Sequence, residues 1–136
     1  MLERFYGIRD RATAIVQRDE RLLIVRDRGF RHYSLPGGGV NRGESPEGAV
    51  ARELAEETGL RAVSVSPLLR CKTSDVFNTY LVYLVEATGE LRVNRLELSE
   101  ALWWDGQARL PFFGYVRHVL AQLDWPNTGT SGILTS

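Results

Sequence analysis

The sequence predicts an α/β fold in which a mixed β-sheet is flanked by helices. Three observations carry this expectation. Runs such as Ala12 to Val16, Leu22 to Val25 and Asp75 to Val85 are apolar or β-branched and have the length of strands. Two other stretches, Pro46 to Thr58 and Leu110 to Leu123, repeat their apolar or charged residues at i, i+3 and i+4, which is the helical period. Strands stand before and after both helices, and there are too few strand-helix-strand units for a doubly wound sheet.

The 136 residues suit one domain with a genuine core, expected over residues 1–126, followed by a small, polar and mobile tail from Asn127 to Ser136. Seventeen basic and 17 acidic residues cancel, so the net field does not argue for nucleic acid or membrane as a bulk partner. Lys72 is the one lysine among those 17 basic residues. Arginine is the better bidentate reader of phosphate, although coding bias is the commoner cause of such a count. The single cysteine, Cys71, excludes an internal disulfide and reads as a small strand residue in a reducing compartment. No stretch approaches the roughly 20 apolar residues of a membrane span, and the N-terminus lacks a charged start followed by an apolar core. A cytoplasmic protein is expected, with the choice between monomer and homodimer open.

In chain order, residues 1–10 read as a short lead-in. Ala12 to Val16 and Leu22 to Val25 read as two strands around a turn at Gln17 to Glu20, both apolar enough to be buried on two faces. Arg26 to Tyr33 is a loop dense in cations and aromatics, with Arg26, Arg28 and Arg31 as candidate phosphate clamps. It leads into Gly37, Gly38 and Gly39, where close backbone approach is possible. Ala62 to Leu69 reads as an edge strand because Pro67 lies near its end. Asp75 to Val85 reads as a central strand and Leu96 to Trp104 as another, carrying Glu97 and Glu100. Phe112, Phe113, Val116, Val119, Leu120 and Leu123 give the last helix its packing face.

The helix after the glycines holds the most information. Ser45 suits the N-cap, Pro46 the first turn and Gly59 the left-handed stop, which fixes the helix between Pro46 and Thr58. Val50, Ala51, Leu54 and Thr58 share one face, and Glu53, Glu56 and Glu57 share its neighbour. Like charges one turn apart repel by a few tenths of a kcal/mol per pair, roughly. A hard divalent cation with oxygen ligands reverses that sign, which makes the three glutamates candidate metal ligands. Arg52 lies one turn before Glu56 and can fix a glutamate in place.

The full string reads G-x5-E-x7-R-E-L-x-E-E-x-G-L, through Gly38, Glu44, Arg52, Glu53, Leu54, Glu56, Glu57, Gly59 and Leu60. It resembles the Nudix box without a gap, with Leu35 and Pro36 before the glycines as in many members. Elsewhere the resemblance rests on element order and size. It implies an αβα sandwich around a central mixed β-sheet. It also implies Mg²⁺ or Mn²⁺ as cofactor and hydrolysis of a nucleoside diphosphate linked to another group. By position, Glu53, Glu56 and Glu57 would be metal ligands and candidates for the base, Arg52 would orient a glutamate, and a carbonyl near Gly37 would complete the shell.

Many relatives add a carboxylate about six residues before a tryptophan. This favours Glu97 over Glu100, and the two cannot face one way on a regular strand. The partner would be a small nucleotide or other diphosphate. The positions that mark particular substrates in the family are Val76, Phe77 and Asn78 here, which meet neither the tyrosine nor the proline signature. Phe77 could stack on a base. The alternative, a Nudix-like nucleotide-binding module without catalysis, usually has eroded glutamates, whereas all are present here.

Overall fold

A computed structural model describes residues 9–126. Residues 1–8 and the expected tail at 127–136 lie outside the described residues. The elements in order are β1 (Arg9–Ile15), β2 (Gln17–Arg18), β3 (Arg21–Asp27), β4 (Gly37–Gly39), α1 (Pro46–Thr58), β5 (Arg61–Pro67), β6 (Thr73–Ser74), β7 (Asn78–Thr88), β8 (Leu98–Trp104) and α2 (Gly114–Gln122).

Five strands form a mixed sheet in which β1 is bordered by β4 and β7, β7 by β1 and β5, and β6 pairs with β7. Strands β1 and β7 run parallel, and the other pairings of this sheet are antiparallel. A second, antiparallel sheet has the order β2-β3-β8. The two apolar runs expected around one turn therefore belong to different sheets. The turn exists, at Asp19 and Glu20 in the left-handed region, but it joins β2 to β3, while β1 has already ended at Ile15.

The alternation of side chains explains how so short a chain builds two cores. Ala12, Ala14 and Val16 point to one face with Leu23, Tyr83 and Val85, where Ala49, Val50 and Leu54 of α1 cover them. Ile15, Leu22, Ile24 and Val82 point to the other, covered by Val116, Val119 and Leu120 of α2. One helix on each side of the strands is the αβα sandwich.

Local chemistry sets the boundaries. Ser45 Oγ accepts the Gly48 N–H at 3.0 Å, and Gly59 at φ 74° returns its N–H to the Ala55 carbonyl, so α1 starts and stops where its caps require. Strand β5 is the edge expected, and β7 is central, but β7 begins at Asn78 rather than Asp75. Asp75 accepts the Phe77 and Asn78 N–H groups and shapes a turn instead. Helix α2 also starts later than its periodicity suggests. Phe112 forms an extended bridge to Tyr33, so its burial comes from strand-like pairing that happens to match helical spacing.

Candidate active site

Helix α1 presents Glu53, Glu56 and Glu57 at graded depth. Glu56 is exposed, Glu53 half-buried, and Glu57, which borders the packing face one turn beyond Leu54, is 6% exposed. Glu57 Oε1 accepts the buried Gly37 N–H at 3.1 Å. A Cβ at Gly38 would run into the Glu53 carboxylate, so the glycine loop is what lets that side chain lie against the strand. Glu97 comes from the turn before β8. There Asn94 donates from Nδ2 to the Glu56 carbonyl and to Glu97 Oε2, each at 3.1 Å, and its N–H bonds the Glu57 carbonyl at 2.9 Å. Asn94 thus ties the turn to the end of α1. Carboxylate oxygens of Glu53, Glu57 and Glu97 lie within 4.8 Å of one another.

Such a group is costly without a counter-charge. Burial, with Glu53 and Asp27 nearby, pushes the Glu57 carboxyl up to about 8 against the opposing Gly37 N–H and Arg11. Burial also raises Glu53, with Glu56 and Glu97 adding to it and Arg52 opposing. An all-oxygen set with one buried and one exposed member fits a hard, partly hydrated divalent cation.

Arg52 organises the rim. Its Nε and Nη2 hold Glu44 at 2.7 and 3.0 Å, Nη1 reaches Glu53 at 3.3 Å and Glu56 at 3.2 Å, and Nη2 also donates to the Gly39 carbonyl at 3.1 Å. The hydrogen bonds from Arg52 hold Glu44 below the usual carboxylate range. Box residue Glu44 therefore acts on Arg52, and Arg52 acts on the glutamates and the loop.

Among the remaining expected residues, Glu100 accepts the Tyr33 hydroxyl and pairs with Arg26 Nε at 3.6 Å. Arg26 lies over the Tyr33 ring and donates to the Phe30 carbonyl. The structure brings Glu97 to the glutamates and directs Glu100 to Arg26. Arg28 is exposed, with its backbone N–H on the Glu97 carbonyl at 3.0 Å, and Arg31 is exposed beside Arg26 in a separate cleft with Ser99 and Pro111. The Gly37 carbonyl accepts Arg11 Nη2 at 3.2 Å.

The NUDIX domain family model matches residues 8–112. The chain belongs to the Nudix family. A Bacillus subtilis (strain 168) protein named "Putative 8-oxo-dGTP diphosphatase" is 30% identical over 102 residues, 73% of this chain and 66% of that protein. An RNA pyrophosphohydrolase of Pectobacterium atrosepticum is 44% identical over 54 residues, 40% of this chain and 30% of that protein. The MutT Nudix hydrolase of Burkholderia pseudomallei shares the fold with a TM-score of 0.73 at 25% identity, covering 85% of this chain and 98% of that one. The matches to the first curated relatives span from under a third to about two thirds of their length.

Beside the Nudix glutamates opens a cleft of about 440 Å³. Phe30, Phe77 and Phe113 wall it, and Tyr80 and Tyr115, stacked at 3.8 Å, close it from β7 and α2. Phe77, expected as a stacking residue, is 73% exposed on this cleft. The Tyr115 hydroxyl accepts the Leu35 N–H at 3.1 Å, which joins the cleft to the loop carrying Gly37. Arg11 and Asp27 also line it, and sequence reasoning passed over both. Arg11 had a readable signal, since alternation puts it on the same face of β1 as Ile15. Asp27 had none, because a bulge between Arg26 and Asp27 resets the alternation of β3. Among the described residues no helix is long and apolar enough to cross a membrane.

Proposed function

We propose that the protein hydrolyses a phosphoanhydride bond in a nucleoside diphosphate linked to another group. The observation that carries this reading is the meeting of the Glu53, Glu57 and Glu97 oxygens beside an aromatic cleft. When bound, Mg²⁺ or Mn²⁺ supplies charge to the diphosphate and acidity to the attacking water. Glu53, Glu57 and Glu97 would hold the ion, with Glu56 at the solvent edge of the same helical face and the Gly37 carbonyl, which also accepts Arg11, as a further oxygen ligand. Arg52 keeps Glu53 and Glu56 in position. Glu97, the exposed member of the group, takes the proton of the water. Phe77 stacks on the base, while Arg26, Arg28 and Arg31 meet outlying phosphate. The names of the pyrophosphohydrolase and diphosphatase relatives support a pyrophosphate linkage as the bond cleaved.

The test is a hydrolysis screen over nucleoside triphosphates, oxidised triphosphates, nucleotide sugars, dinucleoside polyphosphates and non-nucleotide diphosphates, with Mg²⁺, Mn²⁺ or chelator. Turnover should require the metal, and Glu53→Gln, which takes one carboxylate from the group of three, should remove most of it while thermal melts show the fold intact. Full turnover in chelator would sink the reading.

A further inference from the structure

We propose that Arg11 binds the phosphate attached to the nucleoside, between a base held in the aromatic cleft and the next phosphate at the glutamates. This rests on the hydrolytic reading above for where the scissile bond lies.

The argument begins with Gly37. Its N–H holds Glu57 and its carbonyl accepts Arg11, so one residue separates the carboxylate group from the guanidinium. Arg11 also lines the cleft, so its guanidinium stands next to both the cleft and the residue that holds Glu57. The arginine is held by the sheet itself, because its strand position pairs with Gly39 on one side and with Tyr80 on the other. Tyr80 then stacks on Tyr115 beside it.

Chemistry agrees with position. One of the five N–H donors of Arg11 goes to the Gly37 carbonyl, and no carboxylate among the described residues lies within ion-pair distance of it. Arg11 nonetheless sits in the field of Glu57, Asp27 and Asp75. A phosphate entering that acidic surround is repelled unless a cation meets it, and a fixed fork of donors suits two phosphate oxygens. Arg26 is less available, since Glu100 and the Phe30 carbonyl already engage it.

The cleft defines the other half of the ligand. Its volume lies in the range of small-molecule pockets, and Phe30 and Phe77 are large aromatics left 53% and 73% exposed on its walls. Flat aromatic groups stack on such walls. The ligand class is a nucleoside 5′-phosphate extended by at least one further phosphate.

Calorimetric titration in chelator separates Arg11 from the metal chemistry. The probes are the four common nucleoside 5′-monophosphates and the four matching nucleosides, against wild type, Arg11→Gln and Arg11→Lys. At least one monophosphate should bind wild type about 10- to 100-fold tighter than its nucleoside, the scale of a charge-assisted hydrogen bond. Arg11→Gln should erase that difference while nucleoside affinity stays within about twofold, and Arg11→Lys should keep part of it. An undiminished difference in Arg11→Gln would overturn the proposal. So would a parallel loss of nucleoside affinity, which marks Arg11 as a strut for the Gly37 carbonyl, or the absence of monophosphate binding to wild type. If wild type hydrolyses nothing in the screen yet shows the Arg11-dependent difference, the hydrolytic reading falls and the phosphate site stands.

Discussion

At the scale of residues, Glu57 sets the response to pH. Burial lifts its carboxyl from the ordinary 4.5 to about 8, so the metal-free folded state holds a proton that the unfolded chain releases. The sign follows from linkage: the unfolded state binds fewer protons between those values, and metal-free stability falls as pH rises from about 4.5 to 8, on the order of a few kcal/mol. Thermal melts in chelator should show this decline, and Glu57→Gln should flatten it. Added Mg²⁺ should raise the midpoint more at pH 8 than at pH 6, because the ion competes with the proton. Gly38→Ala tests the close approach of Glu53: the new methyl displaces the carboxylate, and metal affinity should drop by about tenfold or more in a titration with Mn²⁺. Glu97 and Glu100 divide in the same manner. Glu97→Gln should lower turnover and move the acidic limb of the pH profile, while Glu100→Gln should leave both near wild type because its carboxylate serves Tyr33 and Arg26. An unchanged acidic limb in Glu97→Gln removes it as the base.

At the scale of elements, α1 and the turn at Asn94 act together. Ser45 fixes where the helix begins, and its replacement by alanine should cost about 1 kcal/mol in chemical denaturation by freeing the Gly48 N–H. Asn94 has a different task. It bonds the carbonyls of Glu56 and Glu57 and the carboxylate of Glu97, so one side chain and its N–H keep a loop carboxylate beside a helix end. Asn94→Ala should reduce turnover with a modest change in stability, since the turn is exposed while the orientation of Glu97 depends on it. Equal turnover in wild type and Asn94→Ala would show that Glu97 finds its place unaided.

For the whole molecule, two cores meet on the same strands, and Leu54 and Ile24 are fully buried on opposite sides of them. Leu54→Ala should destabilise by about 2–5 kcal/mol and also loosen the face that carries the glutamates, whereas Val119→Ala on the far core should lower stability with less effect on metal affinity. Paired melts and Mn²⁺ titrations distinguish the two. The sheets thus carry the site at their edge, where α1, the glycine strand and the Asn94 turn converge.

Sequence alone determined what depends on short spacing. The caps of α1, the shared face of Glu53, Glu56 and Glu57, and the fit of Arg52 to neighbouring carboxylates all lie within a few turns of one helix, where 3.6-residue geometry decides. The box carried the family for the same reason. Tertiary structure decided what depends on distance along the chain. Glu97 meets Glu57 through Asn94, and Glu100 turns to Tyr33, because β8 begins only at Leu98 and leaves Glu97 on a turn. Phe112 matched a helical period yet lies in an extended bridge. Arg11, 26 residues before Gly37, reaches its carbonyl because β1 pairs with β4. Pairing between distant strands leaves no local mark, since it is fixed by which faces must be buried together once the chain collapses.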